Sequence, residues 1–428
     1  MKIFVLAVFI LTYVAIIAFP KFKVLSVGVS AVLTVGAVAI FGGESIIAAL
    51  SSVDYNVILM LVGIMLTVGV FSESGMPNRL ADGLMSKISS SLPAIITLIV
   101  LSGLISAFID NVATVLMLAP IGLAVAKKAE VSPVPVIIGI AVSSNLQGAA
   151  TLVGDTTSIM LGGFADMSFF DFFFLNGKPS IFFSVEIGAL LTVPVLYFLF
   201  RKDNKKISIE KENVKVSSVL PTVLLLLNVA LLVVTSFIPD KPAITNGVIC
   251  MTIGLFGYLY YTLRFKIDPI KNCAKVVDFE TVFFLFFLFL TVFAVEKAGI
   301  IKDLSNMFIG LGNQNVFLLY TVIVFASVVI SAFIDNIPYV ATMLPVIQGL
   351  AAGLPGVSPY LLYFGLLCGA TLGGNLTPVG ASANVVGIGI LKKEGCNVSL
   401  KDFLRIGLPF TLVAVLGGYA FTWLIWGM

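Results

Sequence analysis

Ser106-Ala-Phe-Ile-Asp-Asn111 recurs letter for letter as Ser331-Ala-Phe-Ile-Asp-Asn336, and each copy runs on to a proline at the same spacing, Pro120 and Pro345. A second pair, Thr151-Leu-Val-Gly154 and Thr377-Pro-Val-Gly380, is separated by nearly the same distance. Two motifs repeated at almost one spacing point to a duplicated chain. Each Asp-Asn interrupts a long apolar run. At membrane depth irregular backbone is tolerated only where protein or a water-filled cavity shields it from lipid. The reading is a re-entrant hairpin in each copy, with the dipeptide at its tip.

The rest of the chain agrees with a membrane setting. Of 428 residues 59% are hydrophobic and 11% charged, and the mean hydropathy is +1.12, so lipid must be the main solvent. A helix needs roughly 20 apolar residues to cross the hydrocarbon core. Apolar runs fall near 3–19, 23–41, 55–72, a pair at 93–109 and 112–126, then 134–163 and 179–200. The order repeats near 219–237, 244–263, 279–296, a pair at 316–334 and 337–353, then 359–391 and 404–427. The first run follows Lys2 but ends at Pro20-Lys21 without a small-residue cleavage site, which favours a span over a signal peptide. The expected division is a first repeat over 1–200, a cytoplasmic linker over 201–218 and a second repeat over 219–428.

Threading the chain from an external N-terminus leaves Lys2, Lys178, Lys241, Lys297 and Lys302 on one face and every other one of the 25 basic residues on the other. The positive-inside rule makes the richer face cytoplasmic. Each half then crosses an odd number of times, so the second copy enters upside down, and both termini lie outside. The expected fold is an all-α polytopic membrane protein of two inverted repeats, each with a re-entrant hairpin and a broken helix. It belongs in the inner, cytoplasmic membrane. Such repeats are common in alternating-access carriers, with the site near the midplane.

Asp110 and Asp335 lead the candidate residues, because an ionisable group inside an apolar run is costly and points to function. The alternative is that Asp and Asn simply cap a tight turn, and both roles can coexist. With Asn111 and Asn336 they form the candidate Na⁺ ligands. The Gly- and hydroxyl-rich stretches 143–155 and 369–384 read as unwound helix, where freed oxygens suit a bare cation. They contribute Asn145, Thr151, Asp155, Asn375, Thr377, Ser382 and Asn384. For the hydroxyls helix packing is an equally good explanation. Glu73, Glu296 and Glu186 are weaker candidates, near span ends or an interface.

Other classes are excluded more simply. The chain has no histidine, so a proton relay must use carboxylates. Nothing resembles a phosphate-binding loop, a basic face for nucleic acid or a catalytic triad. Four scattered cysteines imply reduced thiols rather than a disulfide framework.

Ile109-Asp-Asn-Val-Ala-Thr-Val-Leu-Met-Leu-Ala-Pro120, Ile334-Asp-Asn-Ile-Pro338 and Gly374-Asn-Leu-Thr-Pro-Val-Gly-Ala-Ser-Ala-Asn-Val-Val386 resemble the ion transporter superfamily, in particular its arsenite permease, D-type sodium/proton antiporter and P protein branch. The resemblance implies a scaffold domain, a mobile transport domain carrying both hairpins, elevator-like movement and a homodimer. In the related dicarboxylate and citrate carriers the hairpin tips read Ser-Asn-Thr. Here they read Asp110-Asn111-Val112 and Asp335-Asn336-Ile337. A carboxylate in place of a hydroxyl adds negative charge, and the breaks contain no Lys or Arg to offset it. At effective ε near 20, like charges 4 Å apart repel by roughly 4 kcal/mol. The expected function is therefore secondary transport coupled to Na⁺ or H⁺, with sodium/proton antiport foremost and no cofactor beyond the coupling ion. A Na⁺- or H⁺-coupled carrier of a small anion such as citrate, sulfate or arsenite is the alternative, and a channel the third reading.

Overall fold

Each apolar run between Gly, Pro or Asp punctuation has become a helix. The computed structural model describes residues 1–207, 214–312, 315–354 and 357–427. The first half contains α1 (Lys2–Ala18), α2 (Lys23–Gly42), α3 (Ile46–Ser51), α4 (Tyr55–Glu73), α5 (Met76–Met85), α6 (Ser91–Ser106), α7 (Asn111–Lys128), α8 (Pro133–Gly148), α9 (Thr156–Phe164) and α10 (Ile181–Phe200). The second contains α11 (Leu220–Ser236), α12 (Thr245–Phe265), α13 (Pro269–Val276), α14 (Phe279–Lys297), α15 (Ile300–Gly312), α16 (Val316–Ser331), α17 (Asn336–Gly353), α18 (Pro359–Gly373), α19 (Ser382–Lys393) and α20 (Leu400–Trp426). Among the described residues, seven helices are long and apolar enough to span a membrane, and the chain is an all-α polytopic membrane protein.

The predicted hairpins are α6–α7 and α16–α17, with α6 and α16 of 16 residues each. That is a rise of about 24 Å, short of the hydrocarbon thickness. The predicted broken helices are α8–α9 and α18–α19, interrupted at 149–155 and 374–381, which is shorter than the unwound stretches expected at 143–155 and 369–384: 143–148, 369–373 and 382–384 keep their helical backbone bonds, so Asn145, Ser382 and Asn384 lie in helix. Four short helices were not expected: α3, α5, α13 and α15 fill stretches read as loops. Of the expected linker, 208–213 and with it Lys211 lie outside the described residues.

Helices of the two halves pack in exchanged pairs. α4 crosses α12, and α14 lies on α2. The first crossing is close because Gly63 has no side chain: a Cβ there would sit 2.2 Å from the Cys250 carbonyl carbon. The hairpins and broken helices make a second group, in which α6 packs on α8, α16 on α18, and α10 on α20.

The two hairpins approach from opposite ends of α10. At the base of the first, the Ser91 N–H donates to the Lys205 carbonyl (2.9 Å) and its hydroxyl to that of Asp203 (2.6 Å), just beyond the end of α10. At the base of the second, Phe317 packs edge-on and Tyr320 at a tilt against Trp423. One turn further on, the Trp426 indole donates to the Pro179 carbonyl (2.9 Å), at the start of α10.

Candidate functional site

The hairpin tips owe their shape to the residues that mark them in the sequence. A helix leaves its first N–H groups unpaired, and an Asp at the N-cap satisfies them. Asp110 caps α7, its Oδ2 accepting from the N–H groups of Val112 (3.0 Å) and Ala113 (3.2 Å). Asp335 caps α17 through Oδ1, which accepts from the Ile337 N–H at 3.4 Å. The capping role weighed from sequence is thus present at both tips.

The breaks hold the tips in place. The Thr151 hydroxyl donates to the Ala107 carbonyl, and the Thr377 hydroxyl makes the same bond to Ala332. Both carbonyls end the first arm of a hairpin. The backbones meet so closely that a Cβ on Gly154 would lie 2.5 Å from the Gly148 carbonyl oxygen and 2.7 Å from that of Ala107, and one on Gly380 would lie 2.6 Å from the Gly374 oxygen. The Thr-x-Val-Gly repeat is a clamp between break and tip.

Behind the tips the amides form one chain. Asn111 Nδ2 donates to Asn145 Oδ1 (3.0 Å), Asn145 Nδ2 to Asn375 Oδ1 (3.1 Å) and the Thr371 carbonyl (2.7 Å), and Asn375 Nδ2 to the Val142 carbonyl (2.9 Å). Asn145 and Asn375 are wholly buried, so these bonds satisfy groups that would otherwise be costly. They link the first tip, the last turns of α8 just before the first break, and the second break. Asn384 Nδ2 donates to the carbonyls of Gly374 (2.9 Å) and Thr377 (3.1 Å), while its Oδ1 is buried without a partner.

In front of the tips lies a cavity of about 830 Å³. Asp110, Asn111, Asp155, Asn336 and Ser382 are on its wall, with the backbone of Gly154. Asn145, Thr151, Asp335, Asn375, Thr377 and Asn384 are not among its lining residues. Asp155, buried beside Thr157, whose hydroxyl donates to it at 3.2 Å, is within electrostatic reach of both Asp110 and Asp335. Asp110, Asn111 and Asp155 form an oxygen-rich edge of this cavity, and Asn336 and Ser382 are the other candidate residues that face it.

The wall also contains residues that sequence reading passed over or ranked low. Asp278, capping α14 through the Thr281 N–H at 3.1 Å, and Glu280 face the cavity, as do Glu73 and Lys275. Glu73 and Lys275 pair at 3.0 Å. Among the described residues, five carboxylates (Glu73, Asp110, Asp155, Asp278 and Glu280) therefore line the cavity against one lysine. Asp278 had a findable signal, since Asp54 occupies the matching place before α4 and caps it through the Val57 N–H at 3.0 Å. A cation absent from the breaks comes instead from α2: Lys23 Nζ lies 4.0 Å from Asp335 Oδ2 and 3.6 Å from Glu280 Oε1.

A second, smaller cavity of about 190 Å³ is lined by Ser52, Asp54, Met160, Phe289, Glu296, Ala341 and Pro345, among others. Its Asp54, Ala341 and Pro345 stand where the other half has Asp278, Leu116 and Pro120. Glu186 lies in the second turn of α10, half-buried, one of its carboxylate oxygens without a partner among the described residues.

Comparison with known proteins is consistent with this architecture. The profile of the citrate transporter family, CitMHS, matches residues 7–369. A 46 kDa membrane protein of Mycobacterium leprae is 31% identical over 99% of both chains. The human P protein is 24% identical over 93% of this chain, which spans 57% of that longer protein. Among solved structures, the YdaH transporter of Alcanivorax borkumensis superposes with a TM-score of 0.59 at 16% identity, covering 86% of this chain and 84% of that one. MtrF of Neisseria gonorrhoeae follows at 0.57 and 13%, covering 86% and 80%.

Proposed function

Since this chain belongs to the CitMHS family of citrate transporters and is a membrane transporter, we propose that it is a secondary carrier that moves Na⁺ or H⁺ by alternating access, with sodium/proton antiport as its reaction. The observation that supports this reading is the acidic wall of the large cavity. Among the described residues five carboxylates face one lysine, a negative balance that favours a cation and opposes a free anion. Asp110, Asn111 and Asp155 would hold the ion. Asp335 and Asn336 would serve the second tip, while Asn145, Thr151, Asn375, Thr377, Ser382 and Asn384 would set the shape of the breaks. The inverted relation of the two halves, the elevator movement of the hairpin group against α1–α4 and α11–α14, the homodimer, and the inner-membrane location with external termini belong to the same proposal.

Radioactive sodium uptake into proteoliposomes under an imposed pH gradient tests it. The expected result is gradient-dependent uptake that Asp110→Asn abolishes. Intact protein giving no gradient-dependent flux would overturn the reading.

One observation favours a second reading. The family is named for citrate, and an anion could enter with its own cation, which would neutralise part of the wall. A ligand that binds only the folded state raises the melting temperature. Stabilisation by a single carboxylate or oxyanion, in the presence of Na⁺, would select this carrier over the antiporter.

A further inference from the structure

Lys23 is the first residue of α2, and its ammonium sits between Asp335 (4.0 Å), Glu280 (3.6 Å) and the face of Phe284, whose ring centroid is 5.8 Å away. The lysine side chain is only 22% exposed and that of Asp335 23%. The pair therefore works in a setting where screening by water is weak. It also joins two packing groups, because α2 lies on α14 while Asp335 is the tip of α16–α17. Among the described residues the other half shows no counterpart. The residue that begins α12 is Thr245, and among the described residues no Lys or Arg forms an ion pair with Asp110.

We infer that Lys23 is the resident cation of the second hairpin tip, a positioning residue that holds Asp335 against α2 and leaves Asp110 as the tip carboxylate open to a mobile cation. The duplication thus gives two similar tips with different duties. One is neutralised by the protein itself, and the other by what is transported. The division of duties rests on the cation-carrier reading above; the Lys23 contact does not.

Hydrogen exchange on the full chain in lipid nanodiscs, with no substrate added, tests the contact. Lys23→Met is expected to speed exchange severalfold at 332–337 and to leave 107–112 unchanged, while Lys23→Arg keeps the protection. Asp335→Asn, which retains a capping side chain, is expected to match Lys23→Met, and the double variant to exceed neither, because the two changes remove one interaction. Unchanged exchange in Lys23→Met, equal loosening of both tips, additive effects in the double variant, or Lys23→Arg behaving as Lys23→Met would each overturn the inference. Failure of the sodium flux experiment, with these exchange results intact, would instead remove only the carrier reading.

Discussion

Asp110 carries two roles that substitution can separate. As an N-cap it accepts two backbone N–H bonds, a duty that Asn performs about as well, whereas Ala loses about 1 kcal/mol. As a charge on the cavity wall it has no neutral substitute. Asp110→Asn is therefore expected to keep the wild-type melting temperature and lose cation-dependent flux. Asp110→Ala should lose both, and equal flux in Asp110→Asn and wild type would reduce the residue to a cap. The Asp-Asn pairs were legible because a carboxylate inside an apolar run stands out from its neighbours alone. Lys23 was not legible. It looks like an ordinary basic residue at the end of a span, and its partner lies in the other half of the chain, at a distance no local pattern encodes. Glu73 had the opposite difficulty: a glutamate beside a loop needs no explanation until folding brings Lys275 and the cavity to it.

The elements that position the tips are the two breaks, and their sequence is dictated more by close approach than by ligand chemistry. Thr151 and Thr377 spend their hydroxyls on the Ala107 and Ala332 carbonyls. Gly154 meets three carbonyl oxygens at distances no Cβ could tolerate. Gly154→Ala should thus cost at least the 1–3 kcal/mol typical of overpacking, visible as a lower melting temperature and faster exchange at 107–112. Gly389→Ala on α19, where a Cβ would meet nothing within 4 Å, should be neutral or slightly stabilising, since Ala is the better helix former. Equal effects of the two substitutions would show that the clamp does not support the tip. The hairpins and broken helices were legible because polar breaks in apolar runs have few structural solutions. The short helices were not. Stretches such as Met76–Met85 and Ile300–Gly312 mix charged and apolar residues between spans, a composition shared by loops and by helices lying along a surface.

At the scale of the molecule, the two halves carry matching features, and the matches are unequal. The cavity in front of the first tip measures about 830 Å³, while the one at the matching place in the other half measures about 190 Å³. Leu116 and Ala341 occupy equivalent positions, six residues beyond Asp110 and Asp335. Leu116 is 54% exposed and Ala341 6%. If the protein works by alternating access, these environments exchange during transport, since packed interfaces switch between discrete arrangements rather than deforming continuously. With the four native cysteines replaced, Leu116→Cys should react with a membrane-impermeant thiol reagent from the side that carries Lys275, and Ala341→Cys should be silent at rest. Under a transport-driving gradient Ala341→Cys should become reactive from the opposite side while Leu116→Cys slows. Reactivity that stays fixed at both positions while flux continues would mean that the two cavities do not alternate, and that the likeness of the two halves does not contribute to the transport cycle.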